Sequence, residues 1–132
     1  MSQDNLEILK RAMPESAPAN PEELFPILDE DVEWDYVGAF PEFQTAHGPA
    51  EVREFLREWS EAFDDFSFQA EEMLDAGDSV VVHVRQWGRG KETGAHVENH
   101  DWQVFTFRNG KVVHCRGYDT KAQALEAAGV SK

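Results

Sequence analysis

The sequence is poor in cysteine and contains no long apolar run. Cys115 is the single cysteine, so no internal disulfide can form and nothing calls for an oxidising compartment. No stretch approaches the ~20 apolar residues that a membrane-spanning helix needs. Residues 1–10 include Asp4 and Glu7 and lack the apolar stretch of a signal peptide. Together these absences predict a cytoplasmic protein.

Basic residues are also scarce, at 12 Lys and Arg against 26 Asp and Glu, which gives a formal net charge of −14. A charge of this size repels the phosphate backbone of nucleic acids and the anionic surface of membranes. We therefore expect neither as a partner. The same charge keeps a protein soluble, which is the simplest explanation of the acidity.

The chain has no internal repeat, no low-complexity tract and no Gly/Ser linker, and its one proline-rich interval, at 14–21, is short. Its 132 residues, 41% of them hydrophobic, are enough for one continuous core. We expect a single domain that covers residues 1–132.

The first half of the chain shows mainly helical periodicity. Apolar residues at helical spacing predict a first helix that reaches Met13. Asn20 followed by Pro21 is a strong start signal for a second helix, which is expected to run to about Leu28. The third helix has the clearest i, i+3, i+4, i+7 pattern. Its apolar positions are Val52, Phe55, Leu56, Trp59 and Phe63.

Strand periodicity dominates elsewhere. Val32, Trp34 and Tyr36 alternate with acidic residues, which predicts a strand with one buried face, and 38–48 is expected to be an irregular loop. Further strands are predicted at 66–74, 79–89, 97–108 and 111–118. Turn residues between them favour antiparallel pairing, and a last helix is predicted at 121–128. This order predicts an α+β fold, in which helices pack on one face of a curved antiparallel sheet.

Several segments resemble the SnoaL-like group of the NTF2-like superfamily. These are "LDEDVEW", "HGPAEVREFL", "DAGDSVVVHVRQWGRG" and "VFTFRNGKVVHCRGYDTKAQALEAAGV", so the resemblance covers nearly all of the chain from Pro21 onward. It implies a cone, in which the sheet wraps around the N-terminal helices and encloses a cavity, and often a dimer formed through the outer sheet face. The fold hosts many activities, so it does not by itself imply one.

The hairpin at 108–111 decides which side chains face the cavity. We interpret "FRNGK" as a three-residue loop with Gly110 as a left-handed bulge residue, which places Phe105 opposite Val113 and Gln103 opposite Cys115. The side chains expected on the concave face are Val82, Val84, Gln86, Asp101, Gln103, Phe105, Val113, Cys115, Gly117 and Asp119. Those expected on the convex face are His83, Arg85, Trp87, His100, Trp102, Val104, His114, Arg116 and Tyr118. A shift of one residue would invert both sets.

The inward polar residues form the candidate reaction centre. Burial can raise the pKa of Asp101 and make it a general base, with Gln103 polarising a substrate carbonyl. The alternative is a hydrated, passive Asp101 at the rim. Trp59 is a further possible wall residue, with core packing as its alternative. The residues expected to contact a ligand are Trp34, Tyr36, Phe55, Val84, Gln86, Phe105, Cys115 and Asp119.

Three aromatic residues on the convex face, Trp87, Trp102 and Tyr118, predict a homodimer interface, because they would leave a monomer with a large apolar surface. The alternative is a wet face with scattered aromatics. His96, Glu98 and His100 share a strand face but lack the spacing of a zinc motif, so no metal site is predicted. No cofactor is predicted either.

Known chemistry of the superfamily does not transfer to this chain. The aspartates of ketosteroid isomerases align with Trp34 and Gln103, and the Asp-Arg-Asp set of limonene-type epoxide hydrolases aligns with Gln86, Val84 and Gly117. The resemblance therefore favours a protein that binds a small, largely apolar molecule in its cone. One alternative is a cofactor-independent isomerase, cyclase or lyase that acts by proton transfer. Another is a non-catalytic dimerisation or interaction module.

Overall fold

The structure, a computed structural model, describes residues 2–15, 17–35, 45–61 and 63–130. Its helices are α1 (Ser2–Ala12), α2 (Pro21–Leu24), α3 (Gly48–Glu61) and α4 (Lys121–Ala127). Its strands are β1 (Leu28–Asp35), β2 (Ala46–His47), β3 (Phe63–Ala76), β4 (Ser79–Gly90), β5 (His96–Arg108) and β6 (Lys111–Tyr118). The α+β class is confirmed. No helix in the described ranges is both long and apolar enough to cross a membrane.

Three predicted boundaries were wrong. The second helix ends at Leu24 and continues as a 3₁₀ turn, Phe25–Ile27, because Pro26 has no N–H to extend the α-helical hydrogen bonds. The third helix ends at Glu61, and Phe63 begins β3. The short strand β2 lies inside the interval predicted as loop, of which residues 38–44 fall outside the described ranges.

The six strands form one sheet in the order β2-β1-β6-β5-β4-β3. Neighbouring strands are antiparallel except β1 and β6, which pair in parallel, so the sheet is mixed rather than wholly antiparallel. The edge of β3 is partly covered by the α1–α2 connection. There the Ala19 N–H donates to the Phe68 carbonyl at 2.8 Å, and the Met73 N–H donates to the Glu15 carboxylate at 2.9 Å.

The β5–β6 hairpin differs from the predicted loop. Arg108 pairs with Lys111 across a two-residue turn, and Asn109 and Gly110 both have positive φ (54° and 78°), as a type I′ turn requires. The bulge lies farther along the hairpin, where Phe107 pairs with Val112 and Thr106 pairs with His114. Val113 is the extra residue, and so the concave-face assignment of Val113 was wrong. Its neighbour Val112 is the one buried in the main core.

The bulge nevertheless preserves the predicted faces of β5. A two-residue turn alone would reverse the relation between the two strands, and the extra residue at Val113 reverses it again. Gln103 therefore pairs with Gly117 and Phe105 with Cys115, each two positions from the predicted partner. Asp101, Gln103, Phe105 and Cys115 are all buried, as expected of the inner face.

Helices cover both faces of the sheet, not one face as predicted. The main core lies between the inner face and α1, α2 and α3. A smaller core forms where Ala124 and Leu125 of α4 pack on Val81 and Val104 of the outer face. The capping box of Thr120 and Gln123 begins α4 at the end of β6, which directs the helix back over that face. The sheet therefore separates the main core on its inner face from α4 on its outer face.

Candidate functional site

A small cavity lies between α3 and the inner face of the sheet. Its volume is about 30 Å³, which is room for on the order of two water molecules. Ten of its wall residues are apolar or aromatic and two are carboxamides. The lining residues are Met13, Leu24, Trp34, Phe55, Leu56, Trp59, Phe66, Phe68, Val84, Gln86, Gln103 and Phe105.

Both carboxamides are anchored to one buried carboxylate. Gln86 Nε2 donates to Asp101 Oδ1 at 3.3 Å, and Gln103 Nε2 donates to Asp101 Oδ2 at 3.2 Å. The Gln86 oxygen in turn accepts from Trp59 Nε1 at 2.8 Å, and the Gln103 oxygen accepts from Cys115 Sγ at 3.8 Å. Since each amide oxygen accepts a hydrogen bond and each amide nitrogen donates one, the orientation of both groups is fixed.

Asp101 occupies the centre of this network and is only 1% exposed. Burial raises its pKa to about 6, against the lowering effect of the two amide donors. The nearby charge of Asp119 raises the pKa further, and that of His100 lowers it. Asp101 is not among the residues that line the cavity, because the two carboxamides stand between it and the void. Gln86 and Gln103 therefore line the void, whereas Asp101 does not.

Cys115 is completely buried behind Gln103. Burial, and to a lesser extent the charges of Asp101 and Asp35, raises the pKa of its thiol well above the ordinary value. A thiol that resists ionisation is a poor nucleophile. The position favours packing as the role of Cys115.

A larger groove of about 290 Å³ adjoins the cavity and lies between α2, α3 and β3. Leu56, Phe66 and Phe68 line both the groove and the inner cavity, and all three are half-buried. A change in their rotamers would join the two volumes. Arg53 borders this groove, with its guanidinium 4.1 Å from the centre of the Phe25 ring.

The structure brings together most of the predicted ligand-contacting residues. Trp34, Phe55, Val84, Gln86, Gln103 and Phe105 line the cavity. Asp101 and Cys115 lie behind it, and Asp119 is exposed, with its backbone N–H donating to Gln123 at the start of α4. Tyr36 lies outside the described residues. The binding roles of these residues stay predictions.

Sequence reasoning missed five wall residues: Met13, Leu24, Leu56, Phe66 and Phe68. It also undervalued Trp59, which lines the cavity and orients Gln86. The i, i+4 spacing of Phe55 and Trp59 was a usable signal, since it puts both rings on one face of α3. The alternation of Phe66 and Phe68 was another signal of the same kind.

On the outer face, the three predicted aromatics are half-buried and each lies beside a cation. Arg85 stands 4.1 Å from the centre of the Trp87 ring. Arg116 lies 5.5 Å from the centre of the Tyr118 ring, and Lys121 lies 5.5 Å from the centre of the Trp102 ring. Trp102 and Tyr118 also border the α4 core. Among described residues the one large hydrophobic side chain classed as exposed is Val97, at 37%. The outer face is therefore less apolar than the sequence predicted.

The outer-face histidines form a hydrogen-bonded chain. His83 Nε2 and His100 Nδ1 are 3.0 Å apart, and His100 Nε2 lies 3.0 Å from the Glu98 carboxylate. His83 also stacks on Trp102, with ring centres 4.6 Å apart. Burial, followed by the charge of His100, lowers the pKa of His83. Within the described ranges, no three His, Cys, Asp or Glu side chains are arranged to hold a metal ion.

Residues 11–115 match the SnoaL-like domain family. The match spans most of the chain, so this protein belongs to that family, and its curved sheet has the NTF2-like cone architecture. No functionally curated protein matches the chain.

Solved structures show the same fold. The chain is similar to a protein described as a SnoaL-like polyketide cyclase from Jannaschia sp. CCS1, at 20% identity and a TM-score of 0.71, over 96% of this chain and 91% of that one. An NTF2-like protein from Burkholderia xenovorans LB400 is 26% identical, with a TM-score of 0.67 and coverage of 97% and 98%. A protein with a ketosteroid isomerase-like fold from Catenulispora acidiphila DSM 44928, in complex with trimethylamine, is 13% identical, with a TM-score of 0.68 and coverage of 96% and 93%.

Proposed function

We propose that this protein binds a small, largely apolar molecule in the cavity between α3 and the sheet. The observation that carries this proposal is the buried set of Asp101, Gln86 and Gln103 beside an apolar void. Burying three polar side chains in a core costs more free energy than filling the space with apolar ones. Ligand pockets combine apolar walls with a few fixed polar groups in this way.

The cavity must enlarge to take a ligand, because about 30 Å³ is well below the few hundred Å³ of ordinary ligand pockets. The adjoining groove supplies that volume when Leu56, Phe66 and Phe68 move aside. The complex of the Catenulispora protein with trimethylamine supports the uptake of small organic molecules by this fold. Proton transfer by Asp101 receives less support, since the carboxamides separate it from the void.

A matched pair of valine substitutions tests the location of the site. Val84 and Val81 are both buried on β4, but Val84 lines the cavity and Val81 lies under α4. We expect Val84→Leu to weaken the binding of toluene at least tenfold, because the added methylene occupies the void. The Val81→Leu variant is expected to bind toluene like the wild type. Tryptophan fluorescence reports the titration, since Trp34 and Trp59 line the same cavity.

Equal weakening in both valine variants would show that the effect is general strain rather than occupancy. If the wild type leaves toluene unbound at millimolar concentration, the proposed binding function is wrong.

We further propose that the outer face of the sheet forms a homodimer interface, supported by half-exposed Trp87 and Trp102 and by exposed Val97. In an isologous dimer the same face of each copy is buried, so the histidines of both copies lie in the interface. The charged and titratable neighbours on this face are Glu71, Glu72, Arg85, His96, Glu98 and Lys121.

We expect the dimer to be weaker at pH 5 than at pH 8, so that it dissociates at higher protein concentrations at pH 5. Protonation of the histidine cluster on this face adds positive charge to both copies, which then repel each other across the interface. Sedimentation equilibrium across this range measures the change. A monomer at every pH, at 100 µM protein, would exclude the interface.

A further inference from the structure

The buried Asp101 carboxylate has no cationic partner among the described residues. Its two hydrogen bonds come from neutral amides, and it takes part in none of the ion pairs of the described chain. The sequence of residues 36–44 contains no Lys, Arg or His either. With its pKa at about 6, the group is mostly ionised at pH 7. Buried charges in proteins are normally paired, so this one calls for a counter-charge.

The two carboxamides carry the negative potential of Asp101 toward the cavity. Both amide nitrogens point at the carboxylate, so the negative ends of both amide dipoles point away from it. The Gln86 oxygen lies beside Trp59 of the cavity wall. A group in the void therefore meets two carboxamides that stand in front of a full negative charge, in surroundings of low dielectric constant.

The rest of the wall suits a cation that carries alkyl groups. Six aromatic side chains line the cavity, and no Lys, Arg or His is among its lining residues. The faces of aromatic rings are negative and attract ammonium groups, most strongly where water is excluded. The aromatic residues are Trp34, Phe55, Trp59, Phe66, Phe68 and Phe105.

The approach to the cavity does not select anions. Arg53 is paired with Glu22 at 2.9 Å, and Arg57 is paired with both Glu54 and Glu61. Three carboxylates thus neutralise the two guanidiniums that line the groove. The formal charge of −14 also draws cations toward the whole surface.

We propose that the ligand of this cavity is a small organic ammonium ion, held against the aromatic walls, with Asp101 behind the two carboxamides as its counter-charge. This inference rests on the proposed binding function and narrows it to one chemical class. A neutral ligand would leave the carboxylate uncompensated, and an anion would be repelled by it.

Tetramethylammonium and tert-butanol are suitable probes, since both have five heavy atoms and only the first is charged. The charge of tetramethylammonium is permanent, so any effect of pH on its binding comes from the protein. We expect the wild type at pH 7.5 and low salt to bind tetramethylammonium at least tenfold more tightly than tert-butanol, as measured by calorimetric or NMR titration. Asp101→Asn is expected to reduce this preference to less than threefold. The control Asp78→Asn, which removes an exposed carboxylate from the turn between β3 and β4, is expected to keep it.

A second measurement on the wild type covers the case in which Asp101→Asn does not fold. Protonation of Asp101 removes the counter-charge, so the affinity for tetramethylammonium should fall about tenfold between pH 7.5 and pH 5. The other titratable groups that act on Asp101 are His100, Asp119 and Cys115. The affinity for tert-butanol should stay level over the same range.

Toluene, titrated in parallel, separates the two proposals. Binding of toluene and tert-butanol without preferential binding of tetramethylammonium would overturn the ammonium inference and leave the apolar-binding function intact. Failure of all three probes to bind would overturn both.

Discussion

Replacing Phe105 with alanine is expected to lower the free energy of unfolding by about 3–5 kcal/mol. Phe105 is fully buried, and its ring meets Trp34 edge to face, with centres 5.7 Å apart and an interplanar angle of 83°. The ring also borders the existing cavity, so its removal enlarges a void instead of letting the core close. Urea unfolding followed by circular dichroism measures the loss. The free energy of unfolding of a domain of this size is about 5–15 kcal/mol in total, so the variant should be only marginally stable.

Phe25→Ala is the matched control for this substitution. It deletes the same atoms from a half-buried ring, which packs on the outer groove beneath Arg53. We expect the control to lose less than half as much free energy as Phe105→Ala, because less apolar surface returns to water. Similar losses in the two variants would contradict a core centred between α3 and the inner sheet face.

The fold was predictable from sequence where local patterns and burial agree. The period-two runs of β3, β4 and β5, and the helical spacing of Val52 and Leu56, each gave the correct element type. The parallel pairing of β1 and β6 was not predictable in this way, because it joins distant segments and leaves no periodic signal of its own. The same holds for α4, whose apolar face gives no indication of which side of the sheet it covers.

The hairpin at Asn109 shows how a correct result can follow from an incorrect step. Asn-Gly is the preferred sequence of a two-residue type I′ turn, and the structure has that turn. The sequence analysis placed the bulge within the loop, whereas the structure has it at Val113. Both arrangements add one residue, so the inward direction of Asp101 and Gln103 was predicted correctly, while the cross-strand partners of Gln103 and Phe105 were each shifted by two.

The sequence allowed us to predict which face of the sheet the site residues lie on, but not how they are arranged there. Alternation along β5 placed Asp101 and Gln103 on the same inner face. Alternation does not show how close each side chain lies to the cavity, and this distance is what distinguishes Gln103 from Asp101. Gln103 reaches the void, whereas Asp101 is held behind it by two amide donors. The hydrogen bond from Trp59 to Gln86 joins residues 27 positions apart, which no local pattern reveals.

The second large effect concerns Asp101 and pH. Burial raises the pKa of this carboxyl group from 3.8 to about 6 in the folded protein. A carboxyl group whose pKa is raised by folding stabilises the protein fully below its unfolded pKa, and this contribution is lost as the pH rises through the folded value. The ionised form therefore costs stability above pH 6. The full difference between acidic and neutral pH is about 3 kcal/mol.

Asp101→Asn cannot ionise and so should not show this loss. Relative to the wild type, the variant is expected to gain roughly 2 kcal/mol of stability between pH 4 and pH 7.5, because the first part of the full difference is already lost at pH 4. The asparagine amide also faces an amide donor, which imposes a cost of about 1–3 kcal/mol at every pH. Because that cost is constant, the slope of the difference between the two proteins isolates the ionisation of Asp101. Effects of surface groups with lowered pKa, such as Glu71 and Glu98, act on both proteins and cancel.

Denaturant unfolding at half-unit pH intervals gives both curves, and Asp78→Asn serves as the control for loss of an exposed carboxylate that does not act on Asp101. If the wild type and Asp101→Asn run parallel to within 0.5 kcal/mol across this range, Asp101 is not held in a strongly desolvating environment. Asp101 then needs no counter-charge in the cavity, because the folded protein does not oppose its ionisation. If the two curves diverge, and saturating tetramethylammonium removes the difference, then a bound cation compensates the buried charge of Asp101.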